Sequence, residues 1–487
     1  TIGERAFFYN DRLKNIIIPD TVTIIEEYAF YKCENLSDIV IPNSVTKIES
    51  EAFSYCKGLI SIDIPDSVIR LGYGVFNDCR RLKNIKLSKN LEYVGSRILA
   101  YCDSLINVDI PEDIAKIQEN AFVATNINHL LTEEEMSNGS IEIPEILKRT
   151  KTMEDILFAG TGIETENCSF SATEDKIMLD MDKIREGNLA KIKITSGLLK
   201  GMTYTIQKTV WDMSANEDES VIATLSDDGT LTISGQGKMK NYRSVDNIAD
   251  LCGSAYLINK CIIQEGVTNI GNYTFYGCGM QSIEIAESVT SIGNYAFWCA
   301  GITNIEISKN VISIGEKAFV PCRSLEDINV DSENKNYTSE NGVLFNKTKT
   351  ILIQYPSKKL DNVYQIPETV VEIGEYAFFE CDKLNFVNIP DSVTTMGESA
   401  FYVCHNLQHV RLSESLKELE PRVFGGCRSL IEVVIPDNIT LINVWAFTGC
   451  NSLIAAVIPS SVVVITASFD NDSKLTIYCK EGSKAQS

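Results

Sequence analysis

Histidine is scarce in this chain of 487 residues, which contains only His129, His405 and His409. Motifs that commonly accompany catalysis are missing too. There is no His-Glu-x-x-His, no Gly-x-Ser-x-Gly, no phosphate-binding Gly-x-x-x-x-Gly-Lys and no dinucleotide-binding glycine fingerprint. Carboxylates are plentiful, but a sequence alone does not distinguish a catalytic pair from a solvated surface. We therefore expect that the protein is not an enzyme and holds neither a metal nor a cofactor.

Basic residues are a minority: 44 Lys and Arg stand against 66 Asp and Glu, which gives a formal net charge of −22. An acidic surface repels phosphate backbones and anionic lipid headgroups. No apolar run approaches the roughly 20 residues that a membrane-spanning helix needs. We therefore expect no nucleic-acid partner and no direct membrane insertion of this segment.

What the sequence does contain is a repeat of 22 or 23 residues. The repeats align on one aromatic position, which gives the series Phe7, Phe30, Phe53, Phe76, Leu99 and Phe122, and then Phe275, Phe297, Phe319, Phe378, Phe401, Phe424, Phe447 and Phe469. The composite unit is L-x-x-I-x-I-P-x-S-V-T-x-I-G-x-x-A-F-x-x-C, and it is nearly complete in residues 384–404. A period of this length is typical of solenoids.

Each unit begins with an alternating apolar segment, such as Leu36, Ile39 and Ile41, which predicts a strand with one buried face. A proline ends this strand, and a second short apolar segment and a compact turn follow. A unit of this size does not bury its own apolar face, so the units must stack with strands about 4.8 Å apart. The predicted fold class is a β-rich, right-handed parallel solenoid in two arrays, whose first strands line a concave side.

The repeat is interrupted between the two arrays. Alternating segments at 176–181, 190–195 and 202–207 predict a small antiparallel β-sandwich with an immunoglobulin-like arrangement. The predicted domains are the first array (1–130), the sandwich (131–212), a cap with an Asp-Gly hairpin (213–262) and the second array (263–479). The second array carries a hairpin insertion near 331–366, which we expect to project from one edge.

The strings "IPDSV", "IPNSV" and "IG-x-x-AF-x-x-C" resemble the BspA-like (Treponema pallidum-type) leucine-rich repeats of bacterial surface proteins. This resemblance covers roughly 1–130 and 263–470, and it implies an extracellular, cell-surface location and adhesion to host proteins, host cells or other bacteria. Pro-x-Ser-Val follows the strand where the commonest leucine-rich pattern has Asn or Cys, so ligand positions of other leucine-rich classes do not transfer. The chain begins in mid-repeat, which suggests a piece of a longer protein whose signal peptide lies outside it.

Most of the fifteen cysteines recur once per unit. The proposed structural core ladder contains Cys33, Cys56, Cys79, Cys102, Cys278, Cys299, Cys322, Cys381, Cys404, Cys427 and Cys450. A straight line of thiols about 4.8 Å apart suits neither the converging geometry of a disulfide nor the tetrahedral geometry of a zinc site. We interpret these thiols as buried fillers of one recurring space. Cys252 and Cys261 lie outside this ladder and are either a cap disulfide or two buried thiols.

The residues between the buried strand positions should point outward. In the first array they are mostly polar and mildly acidic, as expected of a solvated face. The last four coils of the second array instead bring together aromatic, basic and apolar side chains, which often anchor interfaces. We predict a partner-binding patch of Phe386, His409, Arg411, Glu432 and Val434. The alternatives are scattered exposure and a patch that the insertion hairpin covers.

Together these features indicate a non-catalytic cell-surface recognition or adhesion protein. It would bind host extracellular or surface proteins, microbial proteins or glycans through the concave solenoid faces. One alternative is a structural spacer that displays other modules. A less favoured alternative is carbohydrate binding by the central sandwich.

Overall fold

The computed structural model describes residues 1–109, 118, 120–143, 163–171, 176–185, 189–194, 201–243, 256–469 and 475–479. In these ranges almost all regular structure is β-strand, and the two helices, α1 (Glu133–Asn138) and α2 (Met181–Arg185), are short. The chain forms two compact units. The first comprises Thr1–Trp211, Leu225–Gly229 and Asp250–Leu257, and the second comprises Asp212–Thr224, Thr230–Ala249 and Ile258–Ser487.

The strands up to residue 207 belong to the first unit. They are β1 (Asn15–Ile17), β2 (Ile24–Ile25), β3 (Asp38–Val40), β4 (Lys47–Ile48), β5 (Ser61–Asp63), β6 (Arg70–Leu71), β7 (Asn84–Lys86), β8 (Tyr93–Val94), β9 (Asn107–Asp109), β10 (Asn126–Leu130), β11 (Ser140–Glu142), β12 (Ile163–Glu166), β13 (Cys168–Ser171), β14 (Lys176–Leu179), β15 (Ala190–Ile194) and β16 (Thr203–Gln207).

The later strands run from residue 210 to residue 479. They are β17 (Val210–Asp212), β18 (Val221–Leu225), β19 (Thr230–Gly235), β20 (Lys260–Ile263), β21 (Asn269–Ile270), β22 (Ser282–Ile285), β23 (Ser291–Ile292), β24 (Asn304–Ile307), β25 (Ser313–Ile314), β26 (Asp327–Val330), β27 (Tyr337–Glu340), β28 (Val343–Asn346), β29 (Ile351–Gln354), β30 (Val363–Gln365), β31 (Glu372–Ile373), β32 (Phe386–Asn388), β33 (Thr395–Met396), β34 (His409–Arg411), β35 (Glu418–Leu419), β36 (Glu432–Val434), β37 (Leu441–Ile442), β38 (Ala455–Ile458), β39 (Val464–Ile465) and β40 (Thr476–Cys479).

Successive coils pair in parallel and in register. Each regular coil has a first strand and a shorter second strand; Ile16 pairs with Ile39 in the first strands, and Ile25 pairs with Ile48 in the second. The middle residue of a first strand is typically buried between two exposed neighbours, as in β3. These are the features of the predicted parallel β-solenoid, which is confirmed.

The turn that follows the second strand is also bonded from coil to coil. Around Phe30, the backbone N–H groups of Tyr28, Phe30 and Lys32 donate to carbonyl oxygens of the next coil, at N–O distances of 3.1, 2.8 and 2.9 Å. Tyr28 and Lys32 both have a φ of 57°. This left-handed conformation recurs two residues before and two residues after the core aromatic in most coils. The turns therefore form a third hydrogen-bonded ladder beside the two sets of strands.

The core aromatic residues stack as a column in each array. Neighbouring ring centroids lie 4.5–5.7 Å apart with interplanar angles of 3–23°. Tyr355, which the sequence alignment did not include, occupies this column and stacks on Phe378. The insertion thus supplies the ring that begins the later part of this column.

The ladder thiols are hydrogen-bond donors as well as fillers. The sulfur of Cys56 lies 3.2 Å from the carbonyl oxygen of Phe30 in the preceding coil, and Cys79 donates to Phe53 at the same distance. The same bond, 26 or 25 residues back to a phenylalanine carbonyl, is made by Cys33, Cys102, Cys322, Cys404, Cys427 and Cys450. Thr125 takes the place of cysteine in its coil and donates to the Leu99 carbonyl at 3.2 Å. The position therefore suits a small donor, and sulfur is not essential to it.

The inclusion of Cys299 in the ladder is wrong. It follows Phe297 by two residues, whereas a ladder cysteine follows its aromatic by three, so Ala300 fills the buried position. Cys299 is exposed and has a φ of 57°. The other ten proposed ladder cysteines are buried. Cys261 is a buried thiol of β20, and its suggested partner, Cys252, lies outside the described residues.

The insertion contains the predicted hairpin but does not merely project. Strands β27, β28 and β29 pair antiparallel in order, and β29 then pairs in parallel with β31. Val343, Phe345 and Leu352 are fully buried in the core of the second array. The expectation of a projecting hairpin is wrong because these apolar side chains enter the stack.

The region after the first array contains two small sheets. Their strand orders are β10-β16-β15-β12 and β11-β14-β13, and all pairs are antiparallel except β10 with β16. Strand β10 also continues the array, through a bridge between Leu105 and Ile127. Ile141, Ile177 and Ile192 belong to the same core cluster as the array. The immunoglobulin-like arrangement and the four domain boundaries stay predictions.

We predict that Cys79→Thr is more stable than the nearly isosteric Cys79→Val. Threonine keeps a donor for the Phe53 carbonyl, as Thr125 does for Leu99, whereas valine does not. The Phe53 carbonyl also accepts the Cys56 N–H, so the difference should be about 1 kcal/mol, the net value of one hydrogen bond. Urea unfolding would measure it, with Cys299→Ser as an exposed-site control that changes stability little. Equal midpoints for the two Cys79 variants would contradict the donor role.

We also predict that stability falls at alkaline pH. Burial raises the pKa of the Cys56, Cys79, Cys102 and Cys322 thiols. An unfolded thiol loses its proton near pH 8.5, whereas the folded thiol keeps it, so above that pH the folded state binds more protons. The free energy of unfolding then falls by about 1.4 kcal/mol per pH unit for each such thiol, and the stabilisation is complete below pH 8.5.

Lys83 works in the opposite direction. Burial lowers the pKa of Lys83 to about 8. Between that pH and the higher pKa of an unfolded lysine, the folded side chain is neutral while the unfolded one is still charged, so this group makes the free energy of unfolding rise with pH. A single lysine is outweighed by several thiols. Thermal unfolding from pH 7 to 10 would test the trend, and Cys79→Thr should show a shallower decline than the unmodified protein. A melting temperature that does not fall with pH would refute the prediction.

Candidate binding surface

The outward residues of the last six first strands of the second array, β30, β32, β34, β36, β38 and β40, form a continuous surface, here called the strand face. It consists of two rows, namely Val363, Phe386, His409, Glu432, Ala455 and Thr476, and Gln365, Asn388, Arg411, Val434, Val457 and Tyr478. Strands β34 and β36 lie in neighbouring coils, which the hydrogen bond from Ile431 N to Gln408 O joins at 3.1 Å. All five residues of the predicted patch therefore share one surface.

Phe386, His409 and Glu432 are consecutive in the first row. Phe386 is half-buried and pairs in register with His409. His409 Nδ1 lies 3.8 Å from Glu432 Oε1, and both side chains are about half exposed or more. An ion pair in such an exposed position contributes little to stability. These two polar groups are therefore accessible to a partner.

Arg411 is held by its own chain. Its guanidinium donates to the Ile389 carbonyl at 2.9 Å and to both Asp391 carboxylate oxygens at 2.9 Å. Asp391 also accepts the Glu414 backbone N–H at 3.0 Å. The Glu414 N–H and the Arg411 guanidinium lower the pKa of the Asp391 carboxyl. Arg411 thus links neighbouring coils and borders the patch, and it does not extend freely from it.

The second row contains an exposed apolar stretch. Val434 pairs with Val457, which pairs with Tyr478, and their exposed fractions are 60%, 41% and 56%. The sequence prediction included only Val434 of these three in the patch. Tyr478 was not included in the predicted patch because the last coil has no Pro-x-Ser-Val after its strand. The alternating residue pattern of 475–479 was the feature of the sequence that could have identified this last strand and the outward position of Tyr478.

The outward residues of the first array are less uniformly polar than expected. Ile17 and Val40 pair in register and are 92% and 74% exposed. The following coils place Asp63, Lys86 and Asp109 in the same row. Ile17 and Val40 are therefore the apolar members of a face that is otherwise mostly polar, and both point outward as the alternation of the strands predicts.

The insertion does not cover the predicted patch. Strand β29 pairs with β31, a second strand, and so lies away from the rows of first strands. His409, Arg411, Glu432 and Val434 are exposed. The covered-patch alternative is therefore wrong.

The described residues also bear on metal and membrane binding. Within those ranges, no three His, Cys, Asp or Glu side chains gather as metal ligands would. In the same ranges, no helix has the length and apolar character needed to cross a membrane.

Comparison with known proteins identifies the repeats. The family model for the BspA type leucine rich repeat region matches in six copies, over residues 1–128, 247–364 and 353–476. Similar solved structures include a leucine rich cell surface protein from Faecalibacterium prausnitzii, with 23% identity, 97% of this chain and 89% of that chain covered, and a TM-score of 0.45.

Two further structures are the pneumococcal vaccine antigen PcpA and a Treponema pallidum leucine rich repeat protein. The first is 22% identical over 60% of this chain and 77% of its own, with a TM-score of 0.46. The second is 15% identical over 54% of this chain and 84% of its own, with a TM-score of 0.15. No curated protein matches this chain.

Proposed function

The chain belongs to the family of BspA-type leucine-rich repeat proteins, and on that basis we propose that it is a non-catalytic recognition or adhesion protein of the cell surface. The partner is a host or microbial surface protein that docks on the strand face of the second array. The observation that carries this proposal is the exposed row of Val434, Val457 and Tyr478. An extracellular location is part of the proposal.

The chemistry of the strand face favours a protein partner. Soluble proteins seldom expose contiguous apolar side chains that they do not use, and tyrosine is enriched among the residues that dominate binding energy. Around this row lie the His409–Glu432 and Arg411–Asp391 pairs, which are exposed and polar. An apolar centre with a polar rim is the usual composition of a protein–protein interface.

The main rival is a spacer that only holds other modules apart. A spacer needs soluble coils in register but has no use for an apolar row on an exposed sheet. An immunoglobulin-like domain at 131–212 that binds carbohydrate remains a lesser candidate, and binding of glycans by that region would support it.

We predict that Val434→Glu combined with Val457→Glu weakens partner binding at least tenfold. The two charges would enter a desolvated contact without a counter-ion, which is strongly unfavourable. The chain would first be screened by surface plasmon resonance against purified extracellular matrix proteins and glycans, and the variant would then be measured against each partner found.

The matched control is Ser61→Glu combined with Asn84→Glu. These residues are exposed, pair in register in the first array and would add the same charge. This control should bind normally, and both variants should melt close to the unmodified protein because all four positions are exposed. Equal affinity for all three proteins, or no partner in the panel, would favour the spacer.

A further inference from the structure

The turns of the second array carry a second surface, rich in aromatic rings, which we call the aromatic edge. It has one column two residues before the core aromatic and another one residue after it. The rings are Tyr273, Tyr295, Tyr376 and Trp445 in the first column, and Tyr276, Trp298, Phe379 and Tyr402 in the second. All are half-buried except Trp445, which is 44% exposed.

The first column lies at a backbone position that does not favour large side chains. Tyr273, Tyr295 and Tyr376 have a φ of 56°, and Trp445 has a φ of 59°. Side chains with a Cβ are disfavoured there, and glycine or asparagine is preferred. In the first unit the same position is occupied by Arg5, Tyr28, Glu51, Gly74, Arg97 and Asn120, only one of which is a ring. The turn thus forms with many residue types, so the four rings in the second array are not needed for the turn itself.

The column already binds cations from its own chain. Lys317 Nζ lies 4.6 Å from the Tyr376 ring centroid, and Arg422 Cζ lies 4.4 Å from the Trp445 ring. A carboxylate supports each cation: Lys317 is 2.9 Å from Glu375, and Arg422 is 2.9 Å from Glu398. Each of these two cations therefore contacts both a ring and a carboxylate, which is the arrangement that holds a lysine or an arginine.

Among the described residues, the last ring of the column contacts a cation from the preceding coil and none from the next coil. Arg422 lies over Trp445 from the preceding coil, while the corresponding residue of the next coil is Ala467, whose carbonyl accepts the Trp445 N–H at 3.0 Å. Alanine brings neither a ring nor a charge to this side of the indole. The exposure of Trp445 is consistent with a ring that is covered on one side only.

We propose that the aromatic edge is a second interaction surface, that it takes an arginine-bearing segment of a protein partner, and that Trp445 is its anchor. A guanidinium stacks on an indole more readily than an ammonium does, so arginine fits better than lysine. The net charge of −22 attracts a cationic segment over longer distances. This surface is distinct from the strand face, and the proposal does not depend on binding there.

The test uses the full chain and a fluorescein-labelled peptide of four Arg-Gly-Gly units. Fluorescence anisotropy would compare Trp445→Asn, and the triple variant Tyr273→Asn, Tyr295→Asn and Trp445→Asn, with the unmodified protein. Asn120 shows that asparagine fits this backbone position, and the substitutions leave the net charge unchanged. General electrostatic attraction is therefore the same in all three proteins.

We expect binding by the unmodified protein, about threefold weaker binding by Trp445→Asn and about tenfold weaker binding by the triple variant. The matched control is Tyr101→Asn, which removes an exposed left-handed tyrosine from the first unit and should bind normally. A peptide of four Lys-Gly-Gly units should bind more weakly than the arginine peptide.

Equal binding by the unmodified protein and the triple variant would overturn the proposal, because charge alone would then explain the attraction. No binding of the arginine peptide at low salt, or an equal loss in Tyr101→Asn, would also overturn it. If Trp445→Asn melts well below the unmodified protein, Trp445→Gly replaces it, since Gly74 occupies the same position in another coil.

Discussion

The stacking of each coil on its neighbours, in register, is the constraint on which the rest of the structure depends. A second strand such as β4 has two residues and pairs with β2 on one side and β6 on the other. The turns are bonded in the same way, by backbone groups around the core aromatic. No coil satisfies its own backbone, so stability is a sum of contacts between neighbours. Side chains that face another coil are restricted in size and polarity by the stack, whereas side chains that face solvent are free to vary in type.

This constraint explains why the repeat period predicted so much of the fold. Residues in equivalent positions meet equivalent surroundings, so the strands, the aromatic column and most of the thiols followed from their spacing. The hydrogen bond from Cys56 to Phe30 did not follow, because a spacing does not show which way a small side chain points. Thr125 offered a hint, since a hydroxyl in place of a thiol suggests a donor.

The errors arose where residue type and position disagreed. Cys299 looks like a ladder residue by type but lies one residue too early in its coil. In a stack of coils, the position of a residue in the repeat decides whether its side chain is buried, whatever the residue type. Tyr355 is the opposite case, since it lies in an insertion that changes the spacing, and only packing on Phe378 reveals its place. Arg411 was predicted correctly to lie on the surface. Its link to Asp391, twenty residues earlier in the chain, depends on how far a side chain reaches between coils.

Freedom from stacking is also the property that the residues of both proposed binding surfaces share. At the left-handed position before each core aromatic, the bond to the next coil uses the backbone, so the side chain is not required for the fold; Gly74, Arg97 and Trp445 all make this bond. The outward strand residues are equally unconstrained, because their buried neighbours make the core. One coil of the second array therefore offers two sets of variable side chains, one on its first strand and one on its turn. Because the two sets belong to different segments of the coil, recognition on the strand face leaves the aromatic edge available for another contact.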